Sequence, residues 1–393
     1  MQSFVLNTKF PEAAASRVCI QRLGKQLIAR GHRVVFNDWN HYDQYDVVLF
    51  MSYDPEVEAA RKQNPKIIIG IGDPKPQQID TTARDADFLL VSSLEQRDLF
   101  LRANANPFIF PMFPEIPRIE KTHRQNEILR IGYHGNKAHL HSISPHITSA
   151  LEELGKHRKV EFWAMYNIEK LGSWKFGLPD PKLVTVKHIQ WHPNHYEKYL
   201  SQVDIGIIPN TILGSYYEKK KKTSKMFKYF FGTSQEDYLT RFKFSSNSGR
   251  LYVFSQLGIP VVSDFFPTAA QFLEHGNRGF LAHSAEGWYS CLLKLAESAD
   301  LRQKLAANLR AYIDENADFD KTTEELTTLL AQLKPKEQVP VQITDMNSWA
   351  RVFGYLSLLF EYSIHGNALT RAIFLKSKLL LKRKSLETPI ESL

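Results

Sequence analysis

Short apolar runs alternate along the first 110 residues with stretches whose apolar side chains return at every third or fourth position. Phe4-Val5-Leu6 opens the series, and His32-Arg33-Val34-Val35-Phe36 follows a stripe of Leu23, Leu27 and Ile28 that Gly31 closes. This spacing predicts a strand, a helix over about residues 13–30, and a second strand. Residues 45–51, 66–71 and 86–92 continue as β-rich apolar runs separated by helix-compatible segments. Strands apolar on both faces, alternating with helices, imply a parallel sheet covered on both sides. In such sheets ligands bind beyond the carboxyl ends of the strands, so the loops at 7–10, 51–54, 72–75 and 92–93 are expected to share one cleft.

Phe110-Pro111-Met112-Phe113-Pro114-Glu115-Ile116-Pro117 interrupts the pattern, and the next ten residues are polar. The boundary predicted there separates a first Rossmann-like domain (1–117) from a linker (118–127). The same alternation restarts at Ile128-Leu129-Arg130-Ile131-Gly132. It predicts a helix over 144–157, strands at 160–164, 183–186 and 203–210, a short one at 279–281, and helices over 286–299 and 301–316. The fold class is therefore α/β: two doubly wound Rossmann-like domains, the second over 128–330, followed by a basic helical extension over 331–393.

The second half is organised around residues 244–264. Ser245, Ser246, Asn247, Ser248 and Gly249 are small and polar, and Arg250 adds a cation. Leu251, Val253, Phe254 and Leu257 recur at helical spacing, Gly258 stops the helix, and Ile259-Pro260-Val261-Val262 reads as a buried strand. A polar glycine loop feeding a helix gathers backbone N–H groups and the positive end of the helix dipole at one place. With a guanidinium beside it, such a place suits a phosphate or diphosphate.

The run Gly249-Arg250-Leu251-Tyr252-Val253-Phe254-Ser255-Gln256-Leu257-Gly258-Ile259-Pro260-Val261-Val262 resembles the loop–helix–strand signature in the C-terminal domain of GT-B glycosyltransferases. The resemblance implies a GT-B arrangement of the two domains, with a nucleotide-sugar diphosphate held by this loop and by Gly132–His134 and the turn after it. The positions matching the family's two acidic residues are Val253 and Ser245. On this reading the donor-binding residues are Gly135, Asn136, Lys137, Asn210, Asn247, Ser248, Gly249 and Arg250. Plainer roles compete: Gly135 as a turn residue, Lys137 as a solvated lysine, and Asn247 or Ser248 as the helix cap.

Glycosyl transfer needs a base for the acceptor hydroxyl or a firmly held donor phosphate. The candidates on cleft-facing loops are Asp54, Asp73 and His134, with Asp73 and His134 the catalytic choice. Asp73 lies in Gly72-Asp73-Pro74, where ordinary turn chemistry also explains an aspartate. Asp85-Ala86-Asp87 has the D-x-D form of metal-dependent GT-A transferases but precedes a strand, and the 14 histidines show no ligand spacing. No metal and no cofactor are expected; the nucleotide sugar is a substrate.

Charge changes the picture of partners rather than of fold. The 393 residues carry a net charge of +8, so an anionic partner fits. Residues 215–244, starting from Lys219-Lys220-Lys221-Lys222, hold eight Lys/Arg against three acids, interleaved with aromatics. Residues 371–384 hold six cations and no acid. Both suit an anionic membrane surface or a lipid-linked acceptor, with nucleic acid the less favoured partner and a solvated lysine-rich loop the plain alternative. Cys19 and Cys291 form no disulfide framework, and the N-terminus has no secretory signal pattern, so the expected location is cytoplasmic, peripheral to the inner membrane face. The expected activity is sugar transfer to a carbohydrate or glycolipid acceptor in bacterial surface polysaccharide assembly. A nucleotide-sugar epimerase of the same fold and a non-catalytic binding scaffold are the alternatives.

Overall fold

The computed structural model describes residues 1–53, 55–75, 78–210 and 248–335. Asp54, Ser245, Asn247, the whole basic insertion at 215–244 and nearly all of the extension lie outside the described residues. Two six-stranded parallel sheets form the frame. In the first, the order is β2-β1-β3-β4-β5-β6, with β1 Ser3–Asn7, β2 Arg33–Phe36, β3 Val47–Met51, β4 Ile68–Gly72, β5 Phe88–Val91 and β6 Pro107–Ile109. In the second it is β12-β11-β10-β7-β8-β9, with β7 Ile128–His134, β8 Lys159–Tyr166, β9 Val184–Gln190, β10 Ile205–Ile208, β11 Val261–Asp264 and β12 Phe280–Ala282.

Every residue of β3, β4, β5, β10 and β11 is buried, as two-sided helical cover requires of central strands. Apolar content dictates this placement: at about 25 cal/mol per Å² removed from water, Val-Val-Leu-Phe-Met gains most where both faces are covered. The helix expected at 13–30 is present as Ala14–Ser16, a π-helical stretch Arg17–Arg22, and Leu23–Ala29. Two elements were not legible. β6 is only three residues long and opens on a proline, which suits an edge strand. The helix Phe319–Gln332 begins within the stretch expected to belong to the second domain. Its apolar face, Phe319, Leu326 and Leu330, instead joins the core of the first sheet. Phe319 meets Phe110 at 5.0 Å, and Arg22 lies over the Phe319 ring at 3.9 Å.

The polar linker is laid against the second domain by several side chains, Arg310 among them. Arg310 is buried, and its guanidinium donates to the carbonyls of Ser255, Gln256 and Ile119 at 2.6–2.9 Å and to Glu120 at 2.9 Å. The described residues all belong to one compact unit, in which loops following the carboxyl ends of the two sheets meet: Leu94 N–H donates to Gln271 Oε1 at 3.1 Å, and Arg17 lies 5.1 Å from the Trp191 ring. Among the described residues, no helix is long and apolar enough to cross a membrane.

Candidate functional site

Three chain segments converge where β7, β10 and the helix Gly249–Gln256 end or begin. β7 and β10 are hydrogen-bonded neighbours, so their carboxyl ends sit side by side. β7 delivers His134 and the turn at Gly135; β10 delivers Pro209 and Asn210. The helix starts at Ser248, whose side chain makes no capping hydrogen bond. Leu251, Val253 and Phe254 bury the inner side of that helix, and Gly258, at φ 67°, ends it.

Arg250 binds the three segments into one site. Its guanidinium donates to the Pro209 carbonyl at 2.9 Å and to Asn210 Oδ1 at 3.4 Å, and lies 5.9 Å from the Tyr133 ring. Gly135 has φ 141°, a conformation that L side chains rarely adopt. A Cβ there would stand 2.8 Å from Tyr133 Oη and 3.5 Å from Arg250 Cδ. The two glycine turns, 114 positions apart in sequence, are thus in van der Waals reach through Arg250.

The electrostatics favour an anion. Burial pulls the Arg250 pKa below its usual value, with Tyr133 and Asp264 opposing, yet guanidinium stays charged across physiological pH. Among the described residues no carboxylate lies within ion-pair distance of it. Asn210 is fully buried, and its Nδ2 donor has no hydrogen-bond partner among the described residues. Its main-chain N–H donates to the buried Asp264 carboxylate at 2.7 Å, and that carboxylate also accepts from Trp288 Nε1 at 3.2 Å. A desolvated cation and a buried amide donor with no partner among the described residues share one corner beside a helix start, an arrangement that favours an anion.

The other expected donor residues divide. Asn136 caps the short helical turn Lys137–Ser142 by accepting from Ala138 N–H at 2.9 Å, while its own carbonyl accepts from Tyr133 Oη at 2.7 Å. Lys137 donates to the carbonyls of Leu171 and Gly172, so its ammonium is engaged at the end of a neighbouring helix. Gly249 and Ser248 stand at the helix start beside Arg250.

His134 is buried, stacked at 6.3 Å on Tyr196 and edge-on to Phe254 at 5.1 Å. Burial and then the Arg250 charge lower its pKa to about 3, against a hydrogen bond to the Arg250 main chain that raises it. An imidazole so weakly basic is poorly matched to proton abstraction near pH 7. The linkage sign is definite: between pH 6.5 and about 3 the unfolded chain takes up a proton that folded His134 refuses. Stability is therefore intact above pH 6.5 and falls as pH drops through that window, by up to about 1.4 kcal/mol per pH unit. His134→Gln is expected to flatten that slope in urea unfolding at pH 4–6; an unchanged slope would argue against a neutral buried imidazole.

On the facing sheet Asp73 follows β4 with φ 52° and is paired with Lys75 at 2.5 Å. Tyr53, at the end of β3, feels its charge: burial first, then Asp73, raise the phenol's pKa. Asp87 of the D-x-D sequence lies away from any ligand-facing loop: it is 1% exposed and paired with Arg61 at 2.6 Å. Among the described residues no group of three or more His, Cys, Asp or Glu could hold a metal ion. Val253 is in the apolar core, so a carboxylate there would be buried in hydrocarbon. Two residues lay inside the stretches singled out in the sequence without a role of their own. Tyr133 supports the Gly135 turn, and Asp264 orients Asn210; a charged residue ending the apolar strand Ile259–Val262 was the available signal for the second.

No family model and no curated protein matches the chain. Solved structures do. The sucrose-phosphate synthase of Thermosynechococcus elongatus superposes with a TM-score of 0.57 at 9% identity, covering 84% of this chain and 99% of that one. HepE of Anabaena, in a complex with UDP and glucose, gives 0.53 at 11% identity over 85% of this chain and all of its own. A glycosyltransferase of Rickettsia africae gives 0.53 at 10% identity, with 84% and 98% covered. Two Rossmann-like domains with a shared cleft define the class, and the particular arrangement is that of these structures. The chain has the GT-B fold.

Proposed function

We propose that the protein is a glycosyltransferase that takes a sugar from a nucleotide-sugar donor and passes it to a carbohydrate or glycolipid acceptor. The observation that carries this reading is the junction of the Gly135 turn with Arg250 and the open Asn210 donor at one corner of the cleft. In the reaction an acceptor oxygen attacks the anomeric carbon, the bond from that carbon to the diphosphate oxygen breaks, and the nucleoside diphosphate leaves. The leaving group gains negative charge as the bond breaks, so fixed donors and a guanidinium stabilise the transition state more than the ground state.

Asp73, on the opposite wall, is assigned as the residue that takes the acceptor proton. His134 is reassigned from catalysis to supporting the donor turn, because a buried imidazole with a pKa near 3 is a poor base. Lys137 is likewise assigned to holding the chain after the turn. Gly135, Asn210, Ser248, Gly249 and Arg250 remain as donor contacts, joined by Asn247 from outside the described residues. HepE has been crystallised with UDP-glucose, which makes UDP sugars the first donors to test. The transfer is proposed to need no metal. The basic runs at 219–222 and 371–384 support an acceptor at the cytoplasmic face of an anionic membrane, in surface polysaccharide assembly.

The test is turnover of a panel of UDP-, GDP- and CMP-sugars, read as release of the nucleoside phosphate with and without oligosaccharide acceptors. Acceptor-dependent release from one donor is expected. Epimerised sugar without release, or binding with no turnover of any donor, would favour the epimerase or the scaffold instead.

A further inference from the structure

Among the described residues, two of the contacts between the domains flank the donor turns in strand order. One contact follows β5 and β11. Glu95 accepts from Thr268 Oγ1 and, at 2.7 Å, from Gln271 Nε2, while Gln271 Oε1 accepts from Leu94 N–H at 3.1 Å. The other follows β1 and β9, where the Arg17 guanidinium lies 5.1 Å from the Trp191 ring. In the second sheet the strands that carry the donor turns, β10 and β7, lie between β11 and β9. In the first sheet β3 and β4, which carry Tyr53 and Asp73, lie between β1 and β5. Both halves of the proposed reaction chamber are thus bracketed by the same pair of contacts.

Arg17 is the first domain's half of the second contact. Its Nε is buried with no hydrogen-bond partner among the described residues, and its guanidinium lies against the aromatic face of Trp191. It also opens the π-helical stretch Arg17–Arg22, a distortion common at functional sites. From Trp191 the contact continues inward, since Trp191 stacks on Tyr196 at 6.0 Å and Tyr196 on His134.

We propose that Arg17 and Glu95 are positioning residues that latch the two domains on either side of the donor turns and set the distance between Asp73 and Arg250. The chamber's role rests on the function proposed above; the latches do not. The experiment compares the native chain, Arg17→Lys, Arg17→Ala, and Arg17→Ala with Glu95→Ala, by small-angle X-ray scattering and by acrylamide quenching of tryptophan fluorescence. The double variant is expected to show a larger radius of gyration and stronger quenching. The quenching gain should vanish in a Trp191→Phe background, and the lysine variant should restore part of the native signal. With UDP as probe, dissociation should quicken on the order of 2- to 30-fold for Arg17→Ala, the range a cation–π contact contributes. Scattering and quenching identical to native in the double variant would overturn the latch. An expanded double variant together with native protein that binds no UDP would keep the latch and remove the donor reading.

Discussion

Replacing Arg250 with alanine is expected to weaken UDP binding by about 10- to 100-fold, the equivalent of one lost charge-assisted hydrogen bond. The cause is the arrangement around it. Arg250 is held by the Pro209 carbonyl and Asn210 Oδ1, which use part of its five-donor fork at the start of its helix. Arg250→Lys keeps the charge and loses the fork, so its affinity should fall between the native and alanine values. Isothermal titration with UDP measures both, and circular dichroism melts show whether the fold is kept. Native affinity in a folded alanine variant would remove Arg250 from the donor site.

The second large effect concerns stability. Asp87→Ala is expected to destabilise the protein by about 3–5 kcal/mol, because it strands the buried Arg61 guanidinium. Arg61 Nη2 meets Asp87 Oδ2 at 2.6 Å, and the same oxygen accepts the Ile69 N–H at 2.7 Å, tying helix to sheet. Asp85, two residues earlier, is more than half exposed beside Arg84, and Asp85→Ala should change stability by no more than about 0.5 kcal/mol. Urea unfolding reads both. A pair of aspartates that held a catalytic metal would show the opposite pattern: similar losses of activity and little loss of stability.

This contrast shows what the sequence could and could not disclose. Strand runs such as Val47–Met51 announce themselves because both faces are apolar, and a doubly wound order follows from their alternation with helices. The Gly135 turn and Arg250 were each legible, but their meeting depends on β7 pairing with β10, Ile131 with Ile205 across 74 positions, which no local pattern encodes. His134 looked catalytic from its place at a strand end; only packing against Tyr196, Phe254 and Arg250 reveals an imidazole held neutral. The helix Phe319–Gln332 was missed because it belongs to the first sheet's core although it follows the second in sequence.

The most direct measurement is a crystal structure with UDP soaked or co-crystallised. The expected result places the diphosphate oxygens within hydrogen-bond distance of the Arg250 guanidinium and the Ser248–Arg250 backbone, over the Gly135 turn. Density for the diphosphate at any other part of the cleft, with that corner filled by side chains or left empty, would contradict it.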